Sequence, residues 1–328
     1  MIRNSLKTAL RGFKSKALFT TFNLVSLVTS IMVMYIAIAY LKFETSYDQF
    51  HENSGEIYRL GVTLRSQDYS VVGFGKWNDS EAKDQINQIT KISDLPGVKS
   101  ATHFITNTNS EYIQFNNKEL TIKDLLITNT PKSFCNIFTW NLISGTFKRY
   151  YQNKNSVILT ESIAGRLVSN GSKNTLIDKI VEIAGEKYVV AAIIKDVPKN
   201  SHFEFSVALH KERLDYWGSH VYLQANNGVS KSEIKKQINE NIASINPSLI
   251  DNSTYKAHFL QPIKDIHLRS NILYELKPPG NINYVFLIGF FALFILGICV
   301  FNYSNFTLAL KTKQSKAIGI KKVIGASK

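Results

Sequence analysis

Two long runs without a charged residue constrain the fold of this 328-residue chain more than any other feature. The first covers residues 17–41 and the second covers residues 281–310. At about 1.5 Å per helical residue, the 25 residues of the first run reach roughly 37 Å, enough to cross a hydrocarbon core of about 30 Å with some tilt. The sequence therefore predicts two transmembrane helices, at residues 17–42 and 282–310.

Each run also has another interpretation. A cleaved signal peptide has a basic segment before an apolar region, but that region is usually about 7 to 15 residues long and ends at a small-x-small site. The first run is longer and ends in "YIAIAYLKFE", without a convincing cleavage site. We therefore predict that it is retained. A buried core helix is the alternative for the second run, but its length and all-round apolarity favour a membrane span.

The distribution of charge sets the expected orientation. Residues 1–16 carry five basic side chains and residues 311–328 carry six lysines, and neither segment contains an acid. Without these eleven basic residues, the rest of the chain has 28 of the 39 Lys and Arg residues and all 25 Asp and Glu residues, so its charge is nearly balanced. By the positive-inside rule, both termini are expected in the cytoplasm and the central region outside it. Nucleic-acid binding is disfavoured, because no basic stripe with interleaved aromatics occurs outside these flanks.

The expected organisation follows from these boundaries. Residues 1–16 form a cytoplasmic basic amphipathic segment, residues 43–281 an extracytoplasmic domain and residues 311–328 a second cytoplasmic segment. The two cysteines, Cys135 and Cys299, fall in the domain and in the second span, so no disulfide between them is expected. The domain must therefore be stabilised by its own hydrophobic core.

Two stretches of the central region have a strand-helix-strand pattern. In each, apolar residues alternate in a strand, a capped helix with an apolar stripe follows, and a second strand closes the unit. The first unit begins with the strand at 57–64, which has Tyr58, Leu60, Val62 and Leu64 on one face. Its helix has a capping box at Asn78 and Glu81 and an apolar stripe at Ile86, Ile89 and Ile92. The strand "VKSATHFIT" closes the unit. The second unit begins with the strand "HVYLQA". Its helix is capped by Ser230 with Glu233 three residues on, and its apolar stripe is Ile234, Ile238, Ile242 and Ile245. The strand "YKAHFLQPI" closes the unit. These units predict one mixed sheet with helices on one face, an α+β fold.

Hairpin patterns dominate the region between these units. "YIQFNNKELTI" turns at Asn116-Asn117, and "IVEIAGEKYVVAAII" turns around Gly185. A strand "VILT" precedes one short helix, "ESIAGRLV". We therefore predict a β-rich subdomain over residues 119–210, inserted between the two parts of the first subdomain at residues 43–118 and 211–281.

The sequence offers no constellation of catalytic or metal-binding residues. The seven histidines are scattered without an H-E-x-x-H pattern, and no cysteine pair suggests a zinc site. The motif "GFGKW" lacks the third glycine of a dinucleotide-binding loop, and no G-x-S-x-G is present. No G-x-x-x-x-G-K-[ST] phosphate loop occurs either. We expect no cofactor and no enzymatic activity, so that any ATP hydrolysis belongs to another chain.

Several segments in order resemble the permease subunits of MacB/FtsX-type ABC transporters, especially those of Bacteroidetes. They include "SYDQFHENSGEIYRL", "NSVILTESIAGRL", "VVAAIIKDVPKNSHFEF", "QPIKDIHLRSNILYELKPPGN" and "SKAIGIKKVIGAS". The resemblance implies a multi-pass protein of the bacterial inner membrane with a MacB-like periplasmic core domain. In that domain, residues 43–118 and 211–281 are similar to porter modules, and residues 119–210 form the inserted β-rich subdomain.

The resemblance also implies a mechanism. A separate cytoplasmic ATP-binding subunit drives the membrane helices, which move the periplasmic domain to export a peptide, antibiotic or other amphiphile. The implied partners are a second permease copy or homologous half, a periplasmic adaptor, an outer-membrane channel and membrane lipid. Release of lipoproteins is the alternative within the family. A membrane-anchored periplasmic sensor or scaffold is the alternative outside it, and a periplasmic enzyme is disfavoured by the missing catalytic residues.

The chain departs from the family at two places. Two further spans follow the second one in the family, and we therefore expect that this chain is truncated after its second span or is a fragment. Ala317 stands where Glu is common, and Lys321 stands where Arg is usual. The second departure implies an altered contact with the cytoplasmic subunit.

The segment after the second span is the expected coupling site. In the family the matching segment leads into the helix that contacts the ATPase. The residues assigned to this contact are Lys316, Ile318, Gly319, Ile320, Lys321, Lys322, Val323, Ile324 and Gly325. The alternative is a set of lysines resting on anionic lipid, each worth about 1 kcal/mol near the surface. That alternative explains the charges but not the interleaved apolar residues and glycines.

Overall fold

The structure is a computed structural model that describes residues 17–65, 67–73, 81–107, 109–168, 173–212, 214, 218–249 and 253–324. The chain folds into two compact units. One unit is Ser46–Gly280, and the other comprises the chain before Ser46 together with the chain after Gly280.

The elements follow one another in a simple order along the described residues. The helices are α1 (Ala17–Thr45), α2 (Glu81–Ser93), α3 (Pro131–Ile137), α4 (Phe147–Gln152), α5 (Glu161–Leu167), α6 (Lys231–Glu240), α7 (Ile242–Ile245), α8 (Ile263–Arg269) and α9 (Ile282–Val323). The strands are β1 (Ile57–Leu64), β2 (Gln67–Tyr69), β3 (Val72–Gly73), β4 (Val98–Asn107), β5 (Glu111–Phe115), β6 (Lys118–Ile122), β7 (Leu125–Thr128), β8 (Leu142–Gly145), β9 (Ser156–Thr160), β10 (Ile180–Ile183), β11 (Glu186–Ile194), β12 (Val207–His210), β13 (Gly218–Ala225) and β14 (Tyr255–Pro262).

The first and last helices are the two predicted apolar helices. Thr21–Thr45 of α1 and Ile282–Leu308 of α9 are long and apolar enough to cross a membrane, and most of their side chains are exposed. The two helices contact each other. Their buried residues recur every seven positions, at Ser30 and Ala37 on α1 and at Val285, Ala292 and Cys299 on α9. Small residues at this spacing let two membrane helices approach closely.

The two strand-helix-strand units of Ser46–Gly280 interleave in one sheet. Its order is β14-β1-β13-β4, and each neighbouring pair is antiparallel. The sheet as a whole is mixed, as expected, but its parallel pairs are β7–β12 and β9–β11, which lie outside these four strands. Each crossover helix leaves a gap one strand wide, and a strand of the other unit fills that gap in the opposite direction, as in a split βαβ arrangement.

Helices α2 and α6 cover one face of this sheet, as predicted. The isoleucines at 89, 92, 234, 238 and 245 are buried against Leu60, Val221, Leu223 and Leu260. The Ser230 side chain caps α6 by accepting a hydrogen bond from the backbone N–H of Glu233, which confirms that part of the prediction. Asn78, the predicted cap of α2, lies outside the described residues. Helix α6 ends at Glu240, and Ile242 is only half-buried because it begins the separate turn α7.

The remaining strands extend the sheet along β4-β7-β12-β9-β11-β10-β5-β6. Both predicted hairpins are present, with Phe115 paired to Lys118 and Ile183 paired to Glu186. Ala184 and Gly185 have φ of +49° and +80°, the two positive values that a tight primed hairpin turn requires. The predicted boundary between the first subdomain and the inserted β-rich subdomain, between residues 118 and 119, falls inside the β5–β6 hairpin. Helices α3 and α4 were not predicted.

The face of the sheet opposite α2 and α6 is covered by an aromatic cluster. Phe104 stacks on Tyr222 with ring centroids 5.3 Å apart, and both rings are fully buried. Around them pack Phe134, Phe138, Trp140, Phe203 and Phe205, together with Ile263 and Ile266 of α8. Because both faces are covered, β1, β4 and β13 bury side chains on both faces. Strict alternation of apolar and polar residues therefore breaks down in these strands.

Candidate functional site

A buried ion pair joins the beginning of the central unit to its end. The Arg59 side chain is fully buried, and the Glu275 side chain is 8% exposed. The two Arg59 terminal nitrogens donate to the two carboxylate oxygens of Glu275, at 2.5 and 2.8 Å. This bidentate geometry is the strongest form of the arginine-carboxylate pair. Nη2 of Arg59 also donates to Gln261 Oε1 at 2.5 Å and to Ser270 Oγ at 3.1 Å.

A second polar chain reaches the same arginine from the other side. Nδ1 of His202 lies 2.9 Å from Oδ1 of Asp48, and Nε2 of His202 lies 2.7 Å from the Tyr222 hydroxyl oxygen. Tyr222 lies directly opposite Arg59 in the register of β1 and β13, so the two side chains are neighbours on one face of the sheet. Asp48, His202, Tyr222, Arg59 and Glu275 thus form one continuous set of contacts. We refer to these five residues as the buried network.

Additional hydrogen bonds hold Asp48 at its end of the network. Its carboxylate accepts from the backbone N–H of His202 at 3.2 Å and from the Ser201 hydroxyl at 3.2 Å. Its backbone N–H donates to the Asn200 carbonyl at 2.9 Å. Asn200 also donates through Nδ2 to the carbonyl and hydroxyl oxygens of Ser46. Ser46 and Asp48, at the start of the unit, are therefore bound to the segment around Ser201.

Burial and charge shift the acidity of the groups around the network. Burial by itself would lower the pKa of Arg59, but the hydrogen bond and negative charge of Glu275 raise it above its ordinary value. Burial raises the pKa of the Tyr222 hydroxyl. Burial and the nearby Arg59 charge lower the pKa of His220 to about 3. The arginine is therefore charged, and Tyr222 and His220 are neutral, at physiological pH.

Three other histidines, His51, His103 and His258, are also buried. Burial lowers the pKa of His103 to about 4, and its ring nitrogens contact Ser219 Oγ at 2.9 Å and Asn129 Oδ1. Burial likewise lowers the pKa of His51 and of His258 to about 4. Among the described residues, no group of three His, Cys, Asp or Glu side chains is placed to hold a metal ion.

Sequence reasoning did not find the buried network. Arg59 and Glu275 are 216 positions apart, and Arg59 occupies the face of β1 opposite the predicted Tyr58, Leu60 and Val62 face. One signal was available. Asp48 and Arg59 lie in "SYDQFHENSGEIYRL", His202 in "VVAAIIKDVPKNSHFEF" and Glu275 in "QPIKDIHLRSNILYELKPPGN". Three of the segments that carry the family resemblance therefore meet at this site.

The predicted coupling residues extend α9 beyond its apolar part. Lys316 to Val323 continue the helix without a break, Ile324 follows in a turn, and Gly325 lies outside the described residues. The side chains of Ile320, Val323 and Ile324 are 54%, 88% and 78% exposed. Their i, i+3, i+4 spacing places the three on one helix face. A Cβ added at Gly319 would meet no atom within 4 Å, so the space beside the helix backbone at this residue is empty.

Comparison with known proteins decides the family. Residues 20–241 match the sequence profile of the family described as the MacB-like periplasmic core domain. This chain belongs to that family. The MacB-like chain is therefore an inner-membrane permease component of the ABC-transporter class, as the resemblance implied. Its two apolar helices flank the periplasmic core domain.

Three solved domains are similar to the MacB-like domain, and the first of them shares its fold. A domain of a permease protein from Porphyromonas gingivalis is 18% identical with a TM-score of 0.51, over 70% of this chain and 95% of that one. The extracellular domain of the ABC-type transporter YknZ from Gram-positive bacteria is 13% identical with a TM-score of 0.44, over 62% and 99%. The periplasmic region of MacB from Actinobacillus actinomycetemcomitans is 13% identical with a TM-score of 0.44, over 65% and 91%. No functionally curated protein matches the sequence.

Proposed function

We propose that this chain is a mechanotransmitting permease subunit with both termini in the cytoplasm. A separate ATP-binding subunit binds the end of α9, and ATP hydrolysis there moves α1 and α9. The helices move the periplasmic domain, which exports a peptide, antibiotic or other amphiphile. A second permease copy or homologous half completes the transporter. A periplasmic adaptor and an outer-membrane channel receive the cargo, and membrane lipid surrounds the two apolar helices.

The observation that carries this proposal is the continuity of α9. Its apolar part ends at Leu308, and the same helix runs on to Val323. Fifteen further helical residues extend about 22 Å. A helix without a break is stiff along its axis, so a displacement applied at Ile320 reaches the apolar part of the helix. The basic residues after Leu308 favour the cytoplasm for this end.

The buried network supports the other half of the proposal. Its Asp48 follows the end of α1 by three residues, and its Glu275 precedes the start of α9 by seven. Both chain ends of the periplasmic domain are thus bound to Arg59 and Tyr222, which are in the central sheet. A force on either helix therefore acts on the sheet through short, buried, charge-assisted hydrogen bonds.

Replacing Ile320 by Asp is expected to abolish co-purification of the permease with its ATP-binding subunit. The change places a carboxylate in the middle of the exposed apolar face formed with Val323 and Ile324. The control is Ser315→Asp, which adds the same charge at an exposed position on the opposite face of the same helix. The measurement is affinity purification from membranes in which both subunits are produced. Equal retention of the subunit by both variants would favour lipid binding by this segment.

The proposed topology predicts a specific labelling pattern. Cys135 packs against the aromatic cluster, and burial raises the pKa of its thiol to about 12, so that little reactive thiolate is present. In intact spheroplasts, a membrane-impermeant thiol reagent is expected to label Cys135 only after unfolding. Asn117→Cys, at an exposed hairpin turn, is expected to label at once in a Cys135→Ala background. Labelling of Asn117→Cys only after lysis would place the domain in the cytoplasm.

A further inference from the structure

The chain between α8 and α9 contains a short loop whose base is closed by hydrogen bonds. The Ser270 hydroxyl donates to the Glu275 carboxylate, so the two ends of the loop are joined. Arg59 donates to both of these residues, at 3.1 Å to Ser270 and at 2.8 Å to Glu275. The base of the loop is therefore fixed to strand β1, which carries Arg59. We refer to residues 271–274, which lie between the two ends, as the latch loop.

The tip of the latch loop is bound to the side of β2 that faces away from β1. The backbone N–H of Leu273 donates to the Asp68 carbonyl at 3.0 Å, and the Leu273 carbonyl accepts from the backbone N–H of Ser70 at 3.1 Å. The Ser70 hydroxyl also donates to the Tyr274 carbonyl, at 2.5 Å. The rings of Tyr69 and Tyr274 stack with centroids 6.0 Å apart. The loop tip thus extends the sheet by one short parallel bridge.

The backbone of Tyr274 is strained in this bound position. Its φ is +61°, in the left-handed region that disfavours a bulky side chain. Among the described non-glycine residues with positive φ, five are Asn or Asp, which tolerate this conformation, and Tyr274 is the one aromatic residue. The Tyr274 side chain is 61% exposed, so its burial offsets little of the strain. A strained conformation persists only where neighbouring contacts hold it, and here the contacts with Ser70 do so.

We propose that the latch loop opens and closes on β2 while its base stays fixed by Arg59. Opening relieves the strain at Tyr274 and transfers a few backbone groups to water, and a segment with exposed side chains opens more easily than a core strand. When the loop is closed, the chain that leads into α9 is attached to both β1 and β2, and when it is open, to β1 alone. A role for this second attachment in transmitting movement rests on the proposed function, but the opening itself does not.

The test is amide hydrogen exchange of the full chain in lipid nanodiscs, without the ATP-binding subunit, read at single residues by mass spectrometry with electron-transfer fragmentation. The reporters are the backbone amides of Leu273 and Ser70, because each donates across the contact between the loop and β2. After correction for intrinsic rates, both are expected to exchange at least about tenfold faster than the amide of Leu223 in the central strand β13. Ser70→Ala removes only the hydroxyl contacts and is expected to speed exchange at Leu273 by about threefold or more.

A matched pair of variants tests whether the strain at Tyr274 biases the latch loop. Tyr274→Gly and Tyr274→Ala both remove the ring, but only alanine keeps the Cβ that disfavours a positive φ. Exchange at Leu273 and Ser70 is expected to be about threefold or more slower in the glycine variant than in the alanine variant. Equal exchange in the two correctly folded variants would overturn the proposal. Exchange of both reporters no faster than that of Leu223 would also overturn it, because the loop would then open only with the whole domain.

Discussion

A chain with Glu275→Gln is expected to lose about 3 to 5 kcal/mol of unfolding free energy, because it leaves the Arg59 charge buried without its counter-charge. Both side chains of the pair are removed from water, so solvent does not screen the loss. The glutamine keeps the size of the side chain and one acceptor oxygen, which limits the change to charge. Urea unfolding followed by far-ultraviolet circular dichroism, in detergent at neutral pH, measures the difference.

Two controls separate the buried charge from ordinary ion pairing. Asp265→Asn removes the carboxylate of the exposed Asp265–Arg269 pair on α8, and is expected to cost less than about 1 kcal/mol. Arg59→Met combined with Glu275→Leu removes both charges and is expected to recover most of the loss. If Glu275→Gln and Asp265→Asn lowered the free energy of unfolding equally, the buried Arg59–Glu275 pair would not be an important electrostatic contact.

The double variant also tests force transmission. With its stability largely recovered, it still lacks the bidentate contact between the chain end before α9 and the sheet. We expect ATP hydrolysis by the assembled transporter to continue while transport falls. Normal transport by a folded Arg59→Met, Glu275→Leu chain would show that the contact serves stability alone.

Replacing Ile238 by Ala is expected to cost about 2 to 5 kcal/mol of unfolding free energy. The Ile238 side chain is fully buried on α6, in the cluster with Ile234, Leu223 and Leu260. The shortened side chain leaves a cavity between the helix and the sheet. Lys235→Ala, at an exposed position of the same helix, is expected to change stability by less than about 0.5 kcal/mol. Equal shifts of the thermal midpoint for the two variants would contradict the assigned helix face.

Local sequence patterns were sufficient for most of the secondary structure. The charge-free runs predict α1 and α9 because a bilayer core excludes charges and requires about twenty apolar residues. Strand β1, both hairpins and the Ser230 cap depend on interactions between residues a few positions apart, and each was found where predicted. The predicted apolar stripe of α6 was correct as far as Ile238, and the helix ends two residues later, at Glu240.

Other features depend on contacts between distant residues. The two strand-helix-strand units were recognised, but their interleaving was not, because strand order depends on which gap each strand fills. Arg59 has the appearance of an exposed residue in an alternating strand. Only the second layer, formed by α8 and the aromatic cluster, buries it.

By itself, the sequence determined the two apolar helices, the α+β domain between them and the family to which the domain belongs. The tertiary structure decided that Asp48, His202, Tyr222, Arg59 and Glu275 meet, and that the two strand-helix-strand units interleave in one sheet. The physical reason is the range of the interactions. Periodicity and capping act within a few residues, whereas a buried charge pair and an interleaved sheet depend on segments up to about two hundred positions apart that touch only after the chain has folded.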